Sequence, residues 1–178
     1  MINKTTSIFA LILLMAFQAC QGPIGPEGPQ GEQGEPGVNI LGTTYEVEVD
    51  FTAANEYTDV FNFPTRLEDS DGVLIYRLVG TEGNRDIWRQ LPQTYFFQEG
   101  VLMYNFDFTV TDFAIFLDGP INYQNLANQW RIDQVFRVIV IPSDFPRNRI
   151  DFSDYEAVTQ WLGIKEADFQ KGLLKRKN

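Results

Sequence analysis

Apolar and polar residues alternate strictly in residues 44–51, which run Thr44-Tyr45-Glu46-Val47-Glu48-Val49-Asp50-Phe51. The tyrosine, the two valines and the phenylalanine fall on one face of an extended chain, and the acids fall on the other. Because successive side chains of a strand point to opposite faces of a sheet, the pattern predicts a half-buried β-strand. Such a strand is typical of an antiparallel sheet that packs one face on a core.

Similar segments continue along the chain, separated by turn residues and without helical periodicity between them. Further strands are predicted at 57–63, 73–79, 86–91, 94–98, 102–110, 113–117 and 130–141. Residues 73–79 are apolar on both faces, which is typical of a central strand. About eight strands with no intervening helices predict an all-β domain, either an antiparallel β-sandwich or a jelly-roll-like barrel.

The spacing of the apolar residues changes from that of strands to that of a helix near the C-terminus, where a short helix is predicted. Ser153 and Glu156 have the spacing of a capping box, and an apolar stripe follows them. A second short helix is predicted within 164–174. The cations at 171–177 form the only basic patch of the sequence, and we expect them to be a solvated helix end, where cations are favourable. Residues 41–178 are thus the predicted folded domain.

Residues 1–19 are interpreted as a signal peptide. Ten uninterrupted apolar residues follow the cation Lys4. Since a membrane-spanning helix needs about 20 apolar residues, this run fits the core of an export signal. The sole cysteine, Cys20, comes directly after Ala19, an arrangement that resembles the lipobox of bacterial lipoproteins and implies lipidation of Cys20 as a membrane anchor. The alternative is an ordinary secreted protein with a stray cysteine.

A collagen-like repeat occupies most of residues 20–40. Glycine recurs at every third position from Gly22 to Gly37, with prolines between, and this G-X-Y pattern predicts an extended stalk. The repeat carries three glutamates and no cation, so a triple helix of identical chains would place like charges together. A monomeric polyproline II spacer of about 50 Å is therefore favoured over a trimer.

The composition excludes several classes of function. The chain has 14 Lys+Arg against 24 Asp+Glu, a net charge of -10, which argues against nucleic-acid binding. The absence of histidine removes Ser-His-Asp and Cys-His catalysis and imidazole zinc sites. One cysteine forbids an internal disulfide or a multi-cysteine cluster. No cofactor and no metal site is expected.

Acidic residues suggest two candidate sites, and each has a simpler interpretation. Residues 68–72 hold closely spaced carboxylates, but leucines stand at two positions where an EF-hand needs ligands. A hairpin turn is therefore the better interpretation. Asp107, Asp112 and Asp118 lie on or beside neighbouring predicted strands, where two of them could form the carboxylate pair of a glycoside hydrolase. This catalytic hypothesis is the least favoured, and no catalytic residue is assigned.

Aromatic residues are the candidates for ligand contact, because exposed rings can stack on sugars. Trp88, Tyr95 and Phe97 are the residues assigned to this role. Tyr95 and Phe97 share one face of a predicted strand, with Phe96 on the other. A second aromatic stripe begins at Tyr104 and has strand spacing, so it is interpreted as core.

Four segments resemble a group of collagen-repeat lipoproteins from Gram-negative bacteria. They are Val73-Leu74-Ile75-Tyr76-Arg77-Leu78, Trp88-Arg89-Gln90-Leu91-Pro92-Gln93-Thr94, Tyr104-Asn105-Phe106-Asp107 and Phe116-Leu117-Asp118-Gly119. The resemblance extends from Cys20 to Ser153 and implies a β-rich domain at the cell envelope, in the outer membrane. It implies no activity for any residue.

Three functions stay open at this point. The leading hypothesis is a non-enzymatic, lipid-anchored surface protein whose β-domain binds a protein or glycan partner or has a structural role. The second is a carbohydrate-binding module on a stalk, and the third is a small hydrolase. Exposed aromatic side chains would favour sugar binding, whereas a deep cleft with two carboxylates would favour hydrolysis.

Overall fold

The computed structural model describes residues 43–143 and 150–177, which form a mostly β domain. The predicted signal peptide, Cys20 and the stalk lie outside the described residues. The strands within these ranges are β1 (Thr44–Val49), β2 (Thr58–Asn62), β3 (Gly72–Glu82), β4 (Arg85–Gln90), β5 (Gln93–Phe97), β6 (Gly100–Phe108), β7 (Asp112–Asp118), β8 (Gln134–Ile141), β9 (Gln170–Lys171) and β10 (Lys175–Arg176). One α-helix of the same described ranges, α1 (Tyr155–Leu162), lies between β8 and β9.

The strands form two five-stranded sheets. Sheet I has the order β4-β3-β8-β1-β9, and sheet II has the order β10-β2-β7-β6-β5. Neighbouring strands are antiparallel except β1 and β9, which are parallel. The sheets share one core, in which Phe51 packs edge-on against Tyr104 and Phe136 with ring centroids 5.9 and 6.1 Å apart. The predicted all-β class is confirmed, and the packing is that of a β-sandwich-like domain.

The alternation in residues 44–51 has its predicted structural result. Tyr45, Val47 and Val49 of β1 are buried in the core between the sheets. Glu46 and Glu48 lie on the opposite face of the strand. Hydrophobic burial of one face therefore sets the register of β1 against β8.

β3 is the inner strand that its two apolar faces predict, with β4 on one side and β8 on the other. Ile75 points into the shared core, whereas Tyr76 points to a second apolar cluster on the outer face of sheet I. The buried members of this outer cluster are Tyr76, Trp88, Ile139, Val158, Leu162, Ile164 and Phe169. α1 and the chain after it thus cover sheet I on its outer side.

Asp154 caps α1, so the prediction of Ser153 as the cap is wrong by one residue. The Asp154 carboxylate accepts the Ala157 N–H at 3.0 Å. Ser153 instead donates its hydroxyl to the Asp151 carboxylate at 2.7 Å. Both side chains can serve as caps, and the competing turn at Asp151 decides between them.

The second helix predicted within 164–174 is also wrong. A 3₁₀ turn at Glu166–Asp168 leads into β9 beside β1, and β10 then pairs with β2. Residues 170–177, here called the C-terminal strap, therefore join an edge of each sheet, where unpaired backbone groups are available. Three of the four strap cations are ion-paired: Lys171 to Glu46 at 2.9 Å, Arg176 to Asp59 at 3.0 Å and Lys177 to Asp112 at 2.5 Å. They do not form a solvated helix end.

β8 begins four residues later than the predicted strand 130–141. A 3₁₀ turn occupies Asn128–Trp130, and Asp133 has a positive φ of 54° before the strand starts at Gln134. The left-handed residue breaks the extended chain. Trp130 therefore lies on a loop at the edge of the sandwich.

Candidate ligand-binding site

Trp130 is the middle member of a cluster of three half-buried aromatic residues. The Tyr95 ring lies 4.8 Å and the Phe97 ring 5.1 Å from the Trp130 ring, both edge-on. Tyr95 and Phe97 follow each other on the inner face of β5, because β5 is an extended edge strand. The loop residue Trp130 packs across both of them.

Trp130 is held in place through its backbone. Its N–H donates to the Ala127 carbonyl at 2.9 Å, and its own carbonyl accepts the Tyr104 hydroxyl at 2.6 Å. Burial raises the pKa of Tyr104 to about 12, although the nearby Arg77 cation opposes the rise. The phenol therefore stays protonated near neutral pH and remains a donor. The indole N–H of Trp130 has no partner among the described residues.

One side of Trp130 borders an open cleft of about 600 Å³, here called the amide cleft. Its lining residues are Phe97, Glu99, Ile121, Asn122, Asn125, Leu126, Ala127 and Trp130. Asn122 uses its side-chain oxygen to accept the Gln124 N–H at 3.0 Å, which leaves its amide NH₂ for a ligand. Aromatic rings beside exposed amides and a carboxylate can bind a ligand with an apolar face and hydroxyl groups.

Trp130 also borders a second cleft, of about 410 Å³, here called the arginine cleft. Its lining residues are Arg77, Val79, Ile87, Arg89, Tyr95, Gln129 and Trp130. Volumes of this order suit small ligands or a few sugar rings. Trp130 thus lines two clefts of different chemistry.

The structure brings together two of the three aromatic residues assigned from the sequence. Tyr95 and Phe97 meet at Trp130 as described, while Phe96 lies on the opposite face and is 82% exposed. Trp88 lies elsewhere: it is buried in the outer cluster, with the Arg137 guanidinium 4.1 Å from its ring. Trp88 therefore contributes to packing and lines neither cleft. Tyr104 is fully buried, as its strand spacing predicts.

The aspartates considered for hydrolysis do not converge on a cleft. Asp107 and Asp118 are exposed on the outer face of sheet II. Asp107 faces Ala114, four residues from Asp118 along β7, which separates the two by about 13 Å. Carboxylate pairs of glycoside hydrolases lie about 5–9.5 Å apart. Asp112 lies nearer to Asp107, since it is two residues from Ala114 along β7, but it is ion-paired to Lys177 at 2.5 Å. Hydrogen bonds from Lys177 and Thr109 lower the pKa of Asp112.

The acidic segment 68–72 forms a turn, but the predicted hairpin is wrong, because β2 before it belongs to sheet II and β3 after it belongs to sheet I. The Asp71 N–H donates to the Glu68 carbonyl at 3.1 Å, and the Asp71 carboxylate accepts the Glu68 N–H at 3.0 Å. Asp69 pairs with Arg66 at 3.0 Å.

Over 43–143 and 150–177, no group of three or more potential ligand side chains is placed to hold a metal ion. The helices in those ranges include none with the length and apolarity to cross a membrane.

Sequence reasoning missed the polar residues that give each cleft its chemistry. Arg77 is the cleft residue that the sequence could have revealed, since it is the only charged residue in the apolar stretch 73–79. Asn122 and Asn125 lie in a segment where no strand or helix was predicted, so neither could be assigned to one face of an element.

No protein-family model, curated protein or solved structure matches this chain.

Proposed function

We propose that this chain is a non-enzymatic, lipid-anchored protein of the bacterial cell envelope that binds a ligand beside Trp130. The observation that carries the proposal is the position of Trp130, whose half-buried ring borders two clefts while its backbone is fixed. A rigid aromatic group with free surface is the usual anchor of a binding site. Lipidation at Cys20 and a collagen-like stalk would hold the β-sandwich away from the outer membrane.

A carbohydrate is the ligand class that the amide cleft favours. The faces of sugar rings present C–H groups that pack on aromatic rings, and their hydroxyls pair with amides and carboxylates. Phe97 and Trp130 supply the rings, and Asn122, Asn125 and Glu99 supply the polar groups. The second hypothesis, a carbohydrate-binding module on a stalk, is thus the specific form of the leading one.

The proposal of a non-enzymatic role is supported by the state of the carboxylates. Asp107 and Asp118 are exposed and about 13 Å apart. Glu99 is the one carboxylate that lines the amide cleft, and a glycoside hydrolase needs two. Binding without turnover is the function that fits this arrangement.

An oligosaccharide array tests the proposal directly. The full-length chain, purified in detergent, is expected to retain at least one saccharide class, and Trp130→Ala and Asn125→Ala are each expected to weaken that signal. Phe96→Ala is the matched control, because Phe96 is an exposed aromatic of β5 outside both clefts. Chromatography of the bound saccharide should recover it intact. No retention, equal loss in the control, or cleavage of the saccharide would contradict the proposal.

A further inference from the structure

Two arginines occupy directly opposed positions on β3 and β4, two neighbouring strands of sheet I. Arg77 of β3 and Arg89 of β4 are cross-strand partners, and both line the arginine cleft. Like charges at directly opposed positions destabilise a sheet. The pair is unexpected in a chain whose net charge is -10, since carboxylates outnumber cations.

Within the described part of the chain, Arg77 is a buried cation without a carboxylate partner. It is 6% exposed, and its Nε and Nη2 donate to the Gln134 side-chain oxygen at 2.9 and 2.5 Å. Its Nη1 donates to the Tyr95 hydroxyl at 3.2 Å, and its guanidinium carbon lies 4.1 Å from the Tyr104 ring. All these partners are neutral. Across the described ranges neither Arg77 nor Arg89 forms an ion pair.

Arg137 shows how this protein neutralises a buried arginine elsewhere. It is 2% exposed on the outer face of sheet I, where it pairs with Glu46 at 3.0 Å and also with Glu166. Burying a charge is costly unless it is paired. Arg137 meets that requirement with two glutamates. Buried Arg77 meets no carboxylate among the described residues, and Arg89 opposite it is exposed.

The geometry points to an acidic saccharide as the ligand of the arginine cleft, an inference that rests on the proposed function and names its substrate class. We infer that a sugar carboxylate binds Arg89, whose planar guanidinium matches a carboxylate with two parallel hydrogen bonds. Arg77, fixed by Gln134 and Tyr95, adds a positive field at the same place. The sugar ring packs on Trp130, which also borders the amide cleft.

Calorimetric titration with trigalacturonate and with its neutral methyl ester tests this inference. The full-length chain in detergent is expected to bind the acid at least about tenfold more tightly than the ester, as charge-assisted hydrogen bonds imply. Arg89→Gln should weaken binding of the acid more than binding of the ester and so remove that preference. Added salt should weaken binding of the acid more than binding of the ester.

Arg85→Gln is the matched control, because Arg85 is an exposed arginine on the same strand that lines neither cleft. It removes the same charge and is expected to leave both affinities unchanged. Equal binding of acid and ester would overturn the inference and leave saccharide binding at Trp130 standing. Equal losses in the Arg89 and Arg85 variants would also overturn it, since they would show unspecific attraction. If neither trisaccharide binds, the inference fails, and the oligosaccharide array then decides the proposed function separately.

Discussion

Arg137→Ala is expected to lower the free energy of unfolding by about 3–5 kcal/mol, the usual cost of breaking a buried ion pair. The side chain is 2% exposed and lies between the Trp88 and Phe169 rings, with its guanidinium carbon 4.1 Å from each ring centroid. It also donates to Glu46 at 3.0 Å and to the Tyr155 hydroxyl at 2.5 Å. Truncation removes all of these contacts and leaves Glu46, with a side chain 13% exposed, paired to Lys171 alone.

Urea unfolding at pH 7, followed by far-UV circular dichroism, measures the loss. Arg66→Ala is the control, because the Arg66–Asp69 pair has side chains that are 59% and 85% exposed. Exposed pairs contribute at most about 1 kcal/mol. A loss below about 1 kcal/mol for Arg137→Ala, or equal losses for the two variants, would refute the account of Arg137 as a buried ion pair that stabilises the domain.

The difference between the parent and Arg137→Ala is also expected to depend on pH. Burial tends to raise the pKa of Glu46, but hydrogen bonds and attraction from Lys171 and Arg137 outweigh it, so the folded pKa lies below its ordinary value. An acid with a lowered pKa stabilises the fold above its unfolded pKa, about 4.3, and this contribution disappears as the pH falls through the folded pKa. The two unfolding free energies should therefore converge in acid, and a constant difference down to pH 2 would contradict the ion pair.

Three further predictions concern the anchor, the stalk and the C-terminal strap. Metabolic labelling with a fatty-acid analogue should mark the parent and not Cys20→Ala, and label that survives the substitution would remove the lipoprotein hypothesis. A chain that begins at Leu41 should unfold as cooperatively as one that begins at Gln21, because the strands and α1 follow Leu41; a large fall in melting temperature would show that the stalk packs on the domain or trimerises it. Ending the chain at Phe169 should lower stability by about 1–3 kcal/mol, since three ion pairs and two edge strands are lost; an unchanged urea midpoint would show that the strap contributes nothing.

The strands of the core could be predicted because one physical rule determines them. In 44–51 the apolar residues must share a face to be buried, and the same rule locates β6 and β7. β3 was recognisable because it is apolar on both faces, and both faces are covered. The strap could not be predicted in this way. β9 and β10 have two residues each, too few to show a period, and they form because distant edges and acids at Glu46 and Asp59 are already in place.

The candidate site was predictable only in part, for a related reason. The pairing of Tyr95 with Phe97 follows from strand spacing alone. The position of Trp130 depends on the left-handed residue Asp133, which no apolar pattern reveals. The opposition of Arg77 and Arg89 depends on the register between β3 and β4, and register is a long-range property of the sheet.

The central claim is tested most directly by the affinity for one saccharide. That affinity is measured for the full-length parent chain and for its Trp130→Ala and Phe96→Ala variants. The saccharide is the strongest binder on the array, and calorimetry gives each dissociation constant after urea midpoints have shown both variants to be folded. Loss of an anchoring tryptophan is expected to weaken binding at least about tenfold, while the Phe96 variant stays within about twofold of the parent. An affinity that survives Trp130→Ala, or that falls equally in both variants, would contradict a ligand site beside Trp130.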